Sequence, residues 1–485
     1  MVFNRIFGNR QARKAQTINL GERDLGQATL EPQEPSELVN SSEILTAFFR
    51  DLHAAGGKRR GLVDFDLAPM DPRSARLQRM FTSNPTKDER RIQFDEIRIV
   101  RSDLAKTQRP NDPDEAQQYD FLERKLLALD TVMQRRNGAI IDFHNYIELT
   151  QGITPELIAE DALEAQLEVV KALYKEGGVQ NYSAESISKY RQDHLVPKDE
   201  IGTQIKERGD KFLKRASDFI GEEINPNYQV EEVQENEWWI NWADGTRNSF
   251  RLRVNTHENH ITEFTGGRNS VLGLHEITGH FGQMYGWQKA IDSGNLIDAL
   301  GITSVTDPEQ ITSEGMAQTI NYFVPGILND LDGREVVETE IEIEQYGLRQ
   351  MVYHNVQVWL NTIDLPEESV VGYVRKYLPA ESLEDIKREI HDRTVDEAKS
   401  SYRMSYGYGF YLHKEYALCL NTEGKRELLR YIFSRPTTPQ QEYEFVMNLV
   451  NDPDNRYGSG RVPFRDKDGK SVIEFPTIEL LKPAA

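Results

Sequence analysis

Three textures of apolar and polar positions follow one another along this chain. Between residues 36 and 221 the apolar positions recur at the three- and four-residue spacing of amphipathic helices. Ser41 or Ser42 is placed to cap a helix carrying Ile44, Leu45, Phe48, Phe49 and Leu52, with Gly56-Gly57 as its stop. Asp112-Pro113 opens a second helix, along which Tyr119, Leu122, Leu126, Leu129 and Met133 form one stripe. Thr154-Pro155 opens a third, with Leu163, Leu167, Val170 and Leu173 on one face and Gly177-Gly178 at its end.

Past Asn225-Pro226 the pattern shortens. Residues 228 to 233, 238 to 242 and 249 to 255 are rich in β-branched or aromatic side chains and are separated by turn chemistry that includes Asp244-Gly245. They predict a small antiparallel sheet. In the last strand Phe250, Leu252 and Val254 alternate with Arg251 and Arg253, which makes it the candidate edge for an extended substrate, with an interior position as the alternative. Helical spacing returns over 334–361, 366–378, 382–419, 422–434 and 438–450. The fold class that follows is mainly α with a small antiparallel β-sheet, an α+β protein. Its parts are a flexible arm (1–35), a helical domain (36–221), a core with the sheet (222–330), a C-terminal helical region (331–455) and an irregular tail (456–485).

Composition narrows the function classes. With 485 residues, 38% of them hydrophobic, the chain can bury a sizeable core. Lys plus Arg number 58 against 79 Asp plus Glu, a net charge of -21, which argues against general binding to nucleic acid or anionic membranes. Cys419 is the only cysteine, so no internal disulfide forms, and a reducing, cytoplasmic setting is the expectation. No run of 18 apolar residues reads as a transmembrane span, and the basic start of the chain lacks the apolar region of a secretion signal.

The candidate chemistry lies between residues 271 and 314. In His275-Glu276-Ile277-Thr278-Gly279-His280 two imidazoles bracket a carboxylate, but the second stands five positions after the first rather than four. At about 100° per residue that step turns it roughly 140° away in a regular helix. An extra residue held in a π-type turn restores the register, and Gly279 is suited to that turn. The zinc reading therefore predicts an irregularity between Glu276 and His280. Downstream, Asp307 as cap, Pro308 as first residue and Gln310 begin a helix that places Glu314 on its second turn, beside Gly315. Two His and one Glu, namely His275, His280 and Glu314, could hold Zn2+ with a position left for water, and Glu276 could take that water's proton.

Other residues were weighed beside these. His257 and His260 form a second cluster suited to metal or substrate, though the loop after a strand is their simpler setting. The segment 402–413 is rich in Tyr and Gly, and Tyr406, Tyr408, Tyr411 or His413 in a turn could donate to an oxyanion, with Arg403 or Arg349 clamping a peptide carboxylate. His53, His144 and His194 occur singly and read as packing or surface residues, and His354 and His391, isolated on charged helices, read as surface residues.

The histidine motif, together with Thr312-Ser313-Glu314-Gly315-Met316-Ala317, resembles the HExxxH metallopeptidase family, which includes the microtubule tyrosine carboxypeptidases and the QEGLA-motif proteins. The resemblance covers about residues 248 to 326. It implies a gluzincin-like core, zinc on His275, His280 and Glu314, Glu276 as catalytic base, and carboxypeptidase-like action on a peptide or protein tail. The order of Thr278 and Gly279 is reversed relative to the tyrosine carboxypeptidases, and Ser313 and Met316 replace the usual motif residues. The Tyr-Gly segment is also similar to the tyrosine-bearing segment of oligopeptidases with a deep helical channel. The rival expectation is a catalytically inactive, metal-containing helical scaffold, its metal closed by a fourth protein ligand such as His257 or His260.

Overall fold

The computed structural model describes residues 97 to 461, apart from 103, 238, 364, 396 and 455, together with 63 to 69 and positions 42, 43, 45, 46 and 50. The expected arm, the glycine stop at 56–57, His53 and most of the tail lie outside the described residues. The elements are β1 (Val63–Asp66), α1 (Pro113–Arg136), α2 (Phe143–Gln151), α3 (Glu160–Glu176), α4 (Ala184–Asp193), α5 (Ile201–Ile220), β2 (Tyr228–Val233), β3 (Asn241–Thr246) and β4 (Ser249–Asn255). A long interrupted helix follows, made of α6 (Gly266–Leu272), a π-helical segment (Gly273–Phe281) and α7 (Gly282–Asp292). After β5 (Ile302–Ser304) come α8 (Gln310–Phe323), α9 (Gly333–Thr362), α10 (Glu367–Tyr377), α11 (Leu383–Thr394), α12 (Glu397–Cys419), α13 (Thr422–Ser434) and α14 (Pro439–Val450).

Local chemistry explains most helix ends. Asp112 accepts from the backbone of Asp114 and Glu115, with Pro113 in the first turn of α1. Asp332 and Glu335 form a capping box on α9, and Thr438 and Gln441 do so on α14. Two expected starts move. Helix α3 begins at Glu160 rather than at Thr154-Pro155. The 382–419 stretch divides into α11 and α12.

The fold is mainly helical with one small sheet, but the sheet is mixed. Its order is β2-β4-β3-β1-β5. Strands β3 and β4 form an antiparallel hairpin, whereas β2 runs parallel to β4 and β1 parallel to β3. The hairpin turns at Arg247-Asn248, with Asn248 at φ 65°, a conformation Asn tolerates. Asp244 and Gly245, expected in a turn, lie inside β3, where Asp244 holds Arg251 at 2.9 Å and Arg253 at 3.1 Å. Strand β4 is interior, paired on both sides, so it offers no free edge to a substrate.

Three apolar cores mix segments from the whole described chain. One lies under the sheet, where Phe250, Leu252 and Val254 meet Ile277 and Phe281 of the π segment and Leu122 and Leu126 of α1. Phe250 and Phe281 stack with centroids 5.4 Å apart. A second joins α2, α5, α8, α12 and α13, and a third joins α3 and α4 to α9 and α10. The boundaries read at 221 and 330 therefore do not separate cores, and the described residues belong to one compact unit. His354, expected at the surface, is buried on α9, where it stacks on Tyr408 and its Nε2 lies 2.7 Å from the Glu156 carbonyl; burial pushes its pKa down to about 4.

Helices α8 and α12 pack along most of the length of α8. A Cβ on Gly315 would stand 2.6 Å from the Gly409 carbonyl and would also collide with the His413 ring. The missing side chain is what lets the two backbones approach. Gly315→Ala is expected to cost about 1–3 kcal/mol by overpacking, seen as a lower urea midpoint with an unchanged m-value.

Candidate metal centre

The irregularity that the histidine spacing demands is present. From Gly273 to Phe281 the backbone is π-helical, with hydrogen bonds closing over five residues instead of four, so His275 and His280 come back to one side. Their rings meet edge to face with centroids 4.7 Å apart. Gly279 has a second reason to be glycine: a Cβ there would stand 2.6 Å from the Ala317 Cβ on α8. The close approach brings Glu314, three residues earlier on α8, to the imidazoles. Glu314 Oε2 lies 3.3 Å from His275 Nε2 and 3.6 Å from His280 Nε2.

These three side chains could hold a metal ion, since one ligand atom from each lies within 4.8 Å of the others. The separations suit the purpose. Ligand bonds of about 2.0–2.1 Å in a tetrahedral arrangement hold ligand atoms roughly 3.3 Å apart. Glu314 Oε2 is also buried and faces only the two imidazole nitrogens, a setting that a cation between them would complete.

Neighbouring groups orient the three. The other oxygen, Glu314 Oε1, accepts from the Tyr402 hydroxyl at 2.5 Å, and Tyr402 in turn accepts from the Tyr406 hydroxyl at 2.7 Å. Ser313 Oγ lies 3.3 Å from His280 Nδ1, which leaves Nε2 as the nitrogen facing Glu314. Burial by itself would raise the Glu314 carboxyl, but the His280 and His275 imidazoles outweigh it and hold the group well below the usual carboxylate range. For His280, burial works downward and the Glu314 charge overcomes it, leaving the imidazole more basic than usual.

Glu276 sits beside His275, with its Oε1 3.9 Å from His275 Nε2. Asn241, the first residue of β3, donates to that oxygen at 2.5 Å. The sheet therefore meets the metal group through the start of an interior strand. Asp64 on β1 faces the same space, its carboxyl raised well above its ordinary value by burial and by the nearby Glu314 charge. A cavity of about 410 Å³ opens beside the group and includes Asn241, Glu276, Tyr346 and Tyr406 in its walls.

Several residues named from the sequence are elsewhere. The segment 402–413 is part of the continuous helix α12, not a turn, so its side chains point in all directions. Tyr402 and Tyr406, one turn apart, face the cavity. Tyr408 is buried against His354, and Tyr411 packs half-buried on the apolar cores. His413 shares the face of Tyr406 but lies two turns deeper, with Nε2 2.8 Å from Glu442. His257 and His260 remain in the loop after β4; His260 Nε2 is 2.7 Å from the Glu237 carbonyl. Asp307 does not cap α8: it accepts from the Ser304 amide at 2.8 Å and pairs with the buried Lys125 at 2.5 Å. The neighbouring Glu309 precedes α8, its carboxyl pushed up to about 8 by burial and by the Asp307 charge.

Asn241, Tyr402, Asp64 and Ser313 were not assigned site roles from the sequence. Only Tyr402 carried a signal, as the residue one helical turn before Tyr406. Among the described residues no helix is long and apolar enough to cross a membrane.

No protein-family model and no curated protein matches the chain. Among solved structures, one described as "the putative lipoprotein from Colwellia psychrerythraea" is similar at 11% identity and a TM-score of 0.49, over 76% of this chain and 71% of that one. At that distance the likeness carries no argument about function.

Two substitutions test the supports of the metal group. Gly279→Ala, which pushes the π segment off α8, and Tyr402→Phe, which frees Glu314 Oε1, are each expected to weaken divalent-metal affinity about 10–100-fold. Competition against a chromophoric chelator reads this directly, and unchanged affinity in both variants would remove the proposed supporting roles.

Proposed function

We propose that the chain is a zinc-dependent peptide hydrolase. The observation that carries this reading is the convergence of His275, His280 and Glu314 beside a cavity, with Glu276 held next to them by Asn241. A site whose metal were only structural would need no such carboxylate. Two nitrogens and one carboxylate oxygen are a donor set that zinc accepts, with a position left over. Zinc bound there would polarise a carbonyl and acidify a water.

The chain's own groups supply the rest. Glu276 takes the proton of the attacking water and passes it to the amine that leaves. The water oxygen ends on the carbonyl carbon, and the C–N bond breaks. Asn241 keeps Glu276 directed toward the cavity. The Tyr406 hydroxyl, kept protonated by burial and by the Glu314 charge, lines the cavity and would donate to a developing oxyanion on exchanging its bond to Tyr402 for that acceptor. A peptide or a protein tail of a few residues is the substrate class that fits a cavity of about 410 Å³. The lone cysteine fits a reducing, cytoplasmic setting.

Incubating the protein with a mixed peptide library, with and without chelator, is expected to give metal-dependent cleavage and about one zinc per chain. Glu276→Gln should lower kcat by about 100- to 10,000-fold with zinc content unchanged. Full hydrolysis by that variant would overturn the mechanism. Tyr406→Phe should lower kcat about 10–100-fold with little change in metal binding, in keeping with loss of one oxyanion donor.

A further inference from the structure

Among the cavity's cations, Arg349 and Arg403 looked from the sequence like clamps for a substrate carboxylate, but both are already engaged. Arg349 meets Glu381 at 2.8 Å and Glu389 at 3.1 Å, and Arg403 meets Asp392 at 3.2 Å. The adjacent buried Arg393 meets Glu389 at 3.2 Å. Three guanidiniums, with Lys399 sharing Asp392 at 3.0 Å, thus face three carboxylates, and each cation of this wall already has an anion.

Arg268 is different. It lines the same cavity half-buried, and among the described residues no carboxylate lies within ion-pair distance of it. The carboxylates on the facing helix α9 are committed elsewhere: Glu342 accepts from Thr265 at 3.1 Å and stands 3.7 Å from Arg191, and Glu338 pairs with Arg334 at 2.9 Å. What Arg268 does touch is aromatic, its guanidinium lying 5.5 Å from the centroid of the Tyr346 ring. The Tyr346 ring also lines the cavity beside the metal group. A partly desolvated guanidinium left without an anion, in a chain of net charge -21, marks a place for a ligand's negative charge.

The helix sets the distance. Arg268 precedes His275 by seven residues, about two turns, the last of them in the π segment, so the two project from neighbouring faces roughly 10 Å apart along the axis. An extended peptide spans about 3.3–3.6 Å per residue, so that interval holds up to about three residues. We infer that Arg268 is the specificity-determining residue for a substrate's terminal carboxylate, and that cleavage falls within three residues of a free carboxyl terminus. The inference rests on the peptide-hydrolase reading. Hydrolysis releases the short C-terminal fragment through its new amine and leaves the shortened chain with a new carboxylate.

The test uses one peptide sequence in two forms, free acid and C-terminal amide. Wild-type protein is expected to cleave the acid with kcat/KM about 10–100-fold above the amide, as for loss of one charge-assisted, bidentate contact. Arg268→Leu should lower kcat/KM for the acid by a similar factor, mainly through KM, and leave the amide nearly unchanged. Arg268→Lys should keep part of the preference. Equal cleavage of both forms by wild type, equal losses on both in Arg268→Leu, or products cut more than three residues from the end would each overturn the inference.

Binding separates this inference from the reading beneath it. Fluorescence anisotropy with labelled acid and amide peptides on zinc-loaded Glu276→Gln should show tighter binding of the acid, and that difference should vanish when Arg268→Leu is added. Discrimination by Arg268 in a protein that hydrolyses nothing would sink the hydrolase and keep the carboxylate site. Hydrolysis without discrimination would do the reverse. Should Arg268→Leu fail to fold, the wild-type acid-to-amide ratio and the Arg268→Lys variant still decide.

Discussion

The contact on which the site depends is the approach of the π segment to α8 at Gly279 and Ala317. It allows no Cβ on the first residue, and it sets the depth at which Glu314 meets the two imidazoles. The π register is costly in backbone terms, since its hydrogen bonds are rarer and less well aligned than those of an α-helix. It persists because the segment is buried around most of its circumference. Ile277 and Phe281 are fully buried under the sheet, and Leu274 packs into the core shared by α8 and α12. Apolar burial on two sides thus stabilises a local geometry that the backbone alone would not choose.

The polar side of the same segment is satisfied in layers. Glu314 is ionised in a buried setting, which is tolerable only because the imidazoles face one oxygen and Tyr402 donates to the other. Tyr402 is held in turn by Tyr406, and both stand on α12, the helix that packs most closely on α8. Glycines at 315 and 409 bring those two backbones together, so one close packing positions both the carboxylate and its donors. From the opposite direction Asn241 fixes Glu276, and its own place is set by the β3–β4 hairpin.

The cavity's charge follows a similar logic. Arg349, Arg393 and Arg403 are compensated by Glu381, Glu389 and Asp392, an arrangement that rigidifies a wall and leaves little field for a ligand. Arg268, on the helix that also carries His275, keeps its charge available. One interrupted helix therefore carries both Arg268 and the two imidazoles of the metal group, which fixes their separation.

The sequence by itself determined a good deal. Helical periodicity and caps located α1, α9, α13 and α14 closely, and β2 and β4 fell where alternation placed them, because these signals are local. Under the zinc reading the five-residue histidine spacing required the π segment, since a regular helix could not bring both rings to one side. Glu314 was legible as their partner from its place early in the next helix, from the apolar residues after it and from the motif resemblance. Tertiary structure alone decided the rest. The parallel pairings of β2 and β1 join residues far apart in the chain, so no turn signal records them, and they move β4 from the edge to the interior. The Tyr-Gly segment became a helix, and helical rotation then admitted Tyr402 and Tyr406 to the cavity and sent Tyr408 and His413 elsewhere. Asn241 beside Glu276, and an Arg268 with no carboxylate at ion-pair distance among the described residues, are facts about neighbours in space. Local sequence specifies which groups a helix face presents; only packing specifies what stands opposite them.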